Sequence, residues 1–179
     1  MFLFSGKKNA AKLTDVVWIS QTAKWNGILE EWKKDSHLSI VCWFDKTQQQ
    51  LETVFAKETR APVSIFLAGQ MHTALLTGSQ LIFAEHYPLY SKEAKLFEKL
   101  SLKDVTVHSS LDEPLFVKFN GERVSAMMKQ MGMKENESVQ HKLVSSAIRK
   151  AQDKIEKKVV SELLSTSAEE WMRKNIPAD

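Results

Sequence analysis

A single cysteine, Cys42, stands among 179 residues, so an internal disulfide framework is excluded. It lies inside the apolar run LSIVCWF (38–44), the setting of a buried, inert thiol, and it fits a reducing compartment. No apolar run approaches the roughly 20 residues that cross a bilayer. The opening MFLF is too short an apolar stretch for a secretory signal, so a cytoplasmic location is expected. Neither sign of charge dominates: 25 basic against 22 acidic residues leave a net +3, without the clustered basic face that nucleic acid calls for. Internal repeats and low-complexity segments are missing too. What remains is an ordinary globular composition, 43% hydrophobic and 26% charged, long enough for one domain and an appended helix.

Short apolar runs alternate with amphipathic stretches. DVVWIS (15–20), LSIVCWF (38–44), APVSIFLA (61–68), SQLIFA (79–84) and DVTVHS (104–109) read as strands, apolar on both faces as in a sheet covered on both sides. Between them, TAKWNGILEEWKKD (22–35) sets Trp25, Ile28, Leu29 and Trp32 at helical spacing. KTQQQLETVFAKE (46–58) follows Asp45, and SKEAKLFEKL (91–100) begins at Ser91, both capping residue types. GQMHTALLTG (69–78) is a helix turn or a loop. The expected fold is α/β, three-layered, with a mainly parallel sheet of about five strands. Val139, Leu143, Val144, Ala147, Ile148, Ala151, Ile155 and Val159 then predict one long helix of ~25 residues. The expected organisation is an N-terminal segment (1–13), a domain (14–136), and a long helix with a helical tail (137–179).

The segment FNGERVSAMMKQMGMKENE (119–137) concentrates four methionines. Val124, Met127, Met128 and Met131 share one helical face, which reads as core, with an adaptable methionine surface as the alternative. The longer stretch LFVKFNGERVSAMMKQMGMKENESVQHKLVSSAIRKAQDKIE (115–156) resembles the end of the second motor domain of the SecA preprotein translocase family, running into its helical scaffold. The resemblance rests on Phe119, Arg123, Met127, Met128, Gly132, Met133, Glu137, His141, Val144, Ala147, Ile148, Ala151, Gln152 and Glu156. Upstream, DVVWISQTAKWNGILEEWKKDSHLSIVCWFDKTQQQLE (15–52) and VTVHSSLDEPLFVKF (105–119) are more thinly similar to the same domain.

That resemblance implies a helicase-like motor fold, and the departures from it imply lost chemistry. SGKKN (5–9) has Gly-Lys but lacks the first glycine, the hydroxyl and the preceding strand of a phosphate loop. The family's GRGTDI-like segment is absent, and YSKEAKLFEKLSLKDV (90–105) carries no arginine where arginine fingers would precede the last strand. The reading that follows is a stand-alone, catalytically degenerate relative: a non-catalytic protein-binding or regulatory module, with no cofactor and no metal expected. Its partner would be a motor protein, a translocation component or itself.

Two groups of residues stand out as candidate sites. Lys142, Arg149, Lys150, Lys154, Lys157 and Lys158 line one side of the long helix, and with Trp171 of the tail they form the expected partner surface. For the tail two arrangements are open, folded back over the long helix or exposing Trp171 as an aromatic anchor. The alternative function is a small-molecule or nucleotide-binding enzyme at the carboxyl ends of the strands, where Asp45, Gly69, Glu85, His86 and His108 with Ser109 and Ser110 fall. Asp45, Glu85, His86 and His108 would act there as acid/base or metal-ligand groups. Neighbouring residues such as Glu85 and His86 point to opposite faces of an extended strand, and no GxSxG elbow accompanies the serines. His37 and His72 show no ligand spacing, and His141 belongs to the family pattern.

Overall fold

The computed structural model describes residues 11–76, 80–118, 126, 128–130 and 132–176. SGKKN (5–9), Met127, Met131 and the region around Asn120–Gly121 lie outside them. Six strands are present among the described residues: β1 (Lys12–Trp18), β2 (Ser39–Cys42), β3 (Ser64–Leu67), β4 (Leu81–Phe83), β5 (Asp104–Ser110) and β6 (Ser138–Val139). The helices are α1 (Gln21–Lys34), α2 (Asp45–Glu58), α3 (Tyr90–Lys99), α4 (Pro114–Val117), α5 (Lys142–Lys158) and α6 (Ala168–Asn175), with two 3-10 turns, Ala68–Gln70 and Thr73–Leu76. The sheet order is β3-β2-β4-β5-β1-β6. All pairs are parallel except β1 with β6, where Val17 faces Val139.

Alternation along the strands feeds two cores. Ile40, Cys42, Ile82 and Ala84 pack with Trp25, Ile28, Leu29 and Trp32 of α1 and with Leu51 and Phe55 of α2. Val41, Phe83, Val105 and Val107 face the other way, against Leu96, Phe97 and Leu100 at α3. On that second side α5 also packs against α3, α4 and β1. The result is a three-layer α/β domain, with a buried, unreactive Cys42 whose thiol pKa burial pushes up.

The five expected strands are all found, and the differences lie at element ends. α1 starts where Ser20 Oγ accepts the Ala23 N–H. Asp45 is not the cap of α2 but its first residue, Phe44 holding the cap position; α3 likewise starts at Tyr90 after Leu89, so Ser91 is not a cap. The long helix spans 17 residues rather than ~25. Val139 pairs in β6, and the His141 ring nitrogen accepts the Leu143 N–H, which starts the helix there. Leu143 is 74% exposed, off the buried stripe of Ile148, Ala151, Gln152 and Ile155. Of the methionines, Met128 is buried and Met133 packs beside it, both in the apolar cluster under the tail.

Gly27, inside α1, makes a close approach possible. A Cβ placed there would lie 2.1 Å from Trp18 Cζ2, and the Trp18 ring is held against His108 by stacking and a hydrogen bond. Alanine favours a helix interior by about 1 kcal/mol over glycine, yet Gly27→Ala is expected to destabilise the protein by about 1–3 kcal/mol through overpacking. Gly69→Ala, with nothing within 4 Å of the added carbon, should stay within about 0.5 kcal/mol. Urea unfolding of both variants decides, and a neutral Gly27→Ala would contradict the packing.

Candidate functional site

The carboxyl ends of the parallel strands carry three separate polar groups. At the first, Glu85 follows β4 and is buried. Its Oε1 accepts the Trp43 and Phe44 N–H groups at 2.9 and 3.1 Å, and its Oε2 accepts Thr47 Oγ1–H at 2.6 Å. One carboxylate thus ties β4 to the turn from β2 into α2. Beside it Lys24 of α1, 1% exposed, donates to the Ala84 carbonyl at 2.7 Å and pairs with Glu113, which Ser110 Oγ also approaches at 3.3 Å. Burial raises the Glu85 pKa to about 7 despite the Lys24 charge and these hydrogen bonds.

The second group is centred on His86, which follows Glu85 past the end of β4 and turns to the α3 side of the sheet while Glu85 meets α2. Its Nε2 meets Asp15 Oδ1 of β1 and its Nδ1 meets Glu93 Oε1 of α3, both at 2.9 Å, and all three side chains are buried. Glu93 also accepts the Tyr87 N–H at 2.7 Å and Gln152 Nε2–H of α5 at 2.9 Å. Gln152 donates as well to the Tyr87 carbonyl at 2.9 Å. A ring with a carboxylate on each nitrogen is an imidazolium that donates twice. Burial would lower the His86 pKa, but the Glu93 charge and the bonds to Asp15 and Glu93 win and raise it to about 10. Burial would likewise raise Asp15, and His86 outweighs that and holds it below its ordinary range.

The third group lies on the α1 side. Trp18 Nε1–H donates to His108 Nδ1 at 3.2 Å, so the remaining ring proton sits on Nε2. Nε2 is 3.1 Å from Glu31 Oε2, an ion-pair distance without hydrogen-bond alignment. These residues border a groove of about 540 Å³, polar at its walls through Asn26, Asn136 and Gln140.

The four residues expected to share a crevice therefore do not meet. Glu85, His86 and His108 each belong to a different group, and Asp45 is exposed at the start of α2. Among the described residues, no hydrogen bond or ion pair joins any two of them, and no cluster of three or more His, Cys, Asp or Glu has metal-holding geometry. Ser109 and Ser110 are fully buried, while His37, His72 and His141 are exposed.

Above these groups lies the tail. The tail folds back, but onto the strand ends and α4 rather than chiefly over the long helix: Trp171 is 0% exposed, packed on Tyr87, so it stands in the core and not as a surface anchor. With Met172 and Ile176 it covers Phe44, Tyr87, Leu111 and Leu115, the residues that follow the strand ends. Lys46 N–H donates to the Thr166 carbonyl at 3.0 Å, Lys92 meets Glu162 at 3.0 Å, and Tyr87 Oη–H donates to Glu162. Burial and Glu162 together push the Tyr87 hydroxyl pKa up. On α5, Lys142, Lys150, Lys154, Lys157 and Lys158 are exposed, whereas half-buried Arg149 lies 3.3 Å over the Tyr90 ring and pairs with Asp153.

Sequence reasoning passed over Asp15, Lys24, Glu93 and Glu113, and took Gln152 only as part of the family pattern. Three of them carried a signal: a polar residue at an apolar stripe position. Lys24 precedes Ile28 by four, Glu93 precedes Leu96 and Phe97 by three and four, and Gln152 stands between Ile148 and Ile155. Such positions demand a buried partner.

A mostly parallel α/β sheet with its strand ends roofed is the class that fold and site define. No protein-family model matches the chain. Over 47 residues it is 51% identical to the protein translocase subunit SecA of Acinetobacter baumannii, and 49% identical to those of Acinetobacter baylyi and Psychrobacter arcticus. The matched stretch is 26% of this chain and about 5% of the length of those relatives. The chain therefore carries a SecA-related segment. No helix among the described residues is long and apolar enough to cross a membrane.

The imidazolium makes stability depend on pH. A folded-state pKa above the unfolded value gives stability that is complete below about 6.5 and is lost as pH rises through about 10. Glu85, also raised, loses its contribution earlier, between about 4.5 and 7. Urea-unfolding free energy should thus fall from pH 7 to 10 with a slope of up to about 1.4 kcal/mol per pH unit. His86→Gln leaves two buried carboxylates facing one neutral amide, so it should cost about 3–5 kcal/mol at pH 7 and remove that slope. A variant as stable as the parent, or an unchanged slope, would rule out a charged His86.

Proposed function

We propose that the chain is a non-catalytic protein-binding or regulatory module, derived from a SecA-like motor domain and acting in protein translocation in the cytoplasm. The observation that carries the non-catalytic part is the filling of the strand ends. In open α/β sheets ligands gather outside those ends; in this protein Trp171, Met172 and Ile176 cover residues that follow the strand ends, and there Glu85 already holds the Trp43 and Phe44 N–H groups and Lys24 the Ala84 carbonyl. The sequence adds the missing phosphate loop and arginine fingers, without which phosphoryl transfer loses orders of magnitude in rate. The SecA-related segment supplies the link to translocation.

In this reading the partner surface is the exposed lysine side of α5, and the partner is an acidic face of a motor or translocon component. Trp171 is not part of it, being the internal peg of the tail. The purified chain should hydrolyse no ATP and show no shift in melting temperature with millimolar Mg-ATP. It should bind a purified SecA translocase, with Lys150→Glu/Lys157→Glu weakening binding tenfold or more and added salt weakening the parent complex. Mg-ATP turnover, or failure to bind SecA and the translocon channel alike, would refute it.

A further inference from the structure

Five large apolar side chains are exposed among the described residues, and three of them, Val160, Leu163 and Leu164, fall within one five-residue stretch. Val160 is 100% exposed, Leu163 56% and Leu164 76%. The stretch connects α5 to the tail, which makes its composition costly for a plain linker.

The tail is a bonded unit of its own. Asn175 Oδ1 accepts the Leu163 N–H at 2.7 Å and Asn175 Nδ2–H donates to the Leu163 carbonyl at 2.8 Å. Glu170 accepts the Thr166 N–H at 3.0 Å, and Ser167 caps α6. α5 has already ended, with extended backbone at Val159. The bend at Val159–Ser161 is therefore the natural hinge, and the bonds within residues 162–176 hold them together as one piece. The strand-end groove of this same chain, seen with that piece seated in it, shows what fits.

We propose that the tail is exchanged between two copies of this chain, residues 162–176 of each seating in the strand-end groove of the other. Every contact the tail makes in its own chain is kept in the exchange: Trp171 on Tyr87, Lys46 N–H to the Thr166 carbonyl, Lys92 and Tyr87 to Glu162. Only the hinge differs. Opened in both chains, the two hinges run together at the twofold axis, where Val160 of the hinge and Leu163 and Leu164, at the hinge end of the exchanged piece, are buried against their counterparts. The interface is closed and self-complementary, the form in which exchange of an identical element gives a discrete dimer. It uses the tail face and leaves the lysines of α5 open, so it does not rest on the proposed partner.

Sedimentation of the full chain tests the association, and cross-linking tests its route. Lys46 and Thr166 are backbone-bonded across the groove, and Cys42 is 0% exposed and so unlabelled. Lys46→Cys and Thr166→Cys chains, refolded together and treated with a short bis-maleimide, should give a covalent heterodimer. Leu163→Glu/Leu164→Glu should raise the dimer dissociation constant by about tenfold or more, with the monomer's melting temperature unmoved because both side chains are exposed there. A chain that stays monomeric to about 1 mM would overturn the proposal. So would a dimer in which Lys46→Cys/Thr166→Cys chains link only internally and the mixed single variants do not link.

Discussion

The His86 imidazolium between Asp15 and Glu93 is the interaction on which the rest of this molecule depends. It is one ring, yet it joins β1, the end of β4 and α3, and through Gln152 on Glu93 it reaches α5. Two carboxylates around one cation leave a net negative charge in a buried place, tolerable only because Tyr87 N–H and Gln152 Nε2–H add neutral donors to Glu93. A buried charge of this kind adds little net stability over well-packed apolar residues, but it penalises every arrangement in which a partner is misplaced. Gln152 ties α5 to this group and to the Tyr87 carbonyl, adding a directional contact to the apolar stripe of α5.

From that placement the closing of the strand ends follows. α5 delivers the chain to the hinge beside Tyr87, the tail turns back, and Trp171 drops onto the Tyr87 ring. Glu85 and Lys24 below it serve structure: one stitches the β2–α2 turn, the other joins α1 to the β4 carbonyl and to Glu113. The place where an open α/β sheet usually holds a ligand is taken up by the protein's own apolar residues and completed hydrogen bonds. What stays exposed is the lysine side of α5, where the proposed partner would bind, and the apolar hinge.

Much of this fold was legible in the sequence because strand runs such as LSIVCWF and stripes such as Trp25, Ile28, Leu29 and Trp32 record burial directly. The two-residue β6 was not, since Val139 also fits the helical spacing of α5 and only its pairing with Val17 decides otherwise. Caps failed for a related reason: Asp45 and Ser91 are good capping types, but Glu85, forty residues away from Asp45 along the chain, already satisfies the turn before α2. At the site, Glu85 and His86 point apart because the chain leaves β4 before reaching them, not through the alternation of an extended strand, and they share no crevice with His108 and Asp45. Strand-end position tells which residues are near that edge of the sheet, and says nothing of which face each one serves. Gln152 and Glu93 were readable as polar residues in apolar stripes; Asp15, at the head of its apolar run, read as a strand boundary and carried no such sign.

The most direct test of this account is the charge on His86 itself. Nitrogen-15 spectra of the histidine-labelled full chain at pH 8 should show a ring with both nitrogens protonated that is absent from His86→Gln. A His86 ring neutral at pH 8, with one unprotonated nitrogen, would mean that no buried cation holds α3 and α5 to the sheet.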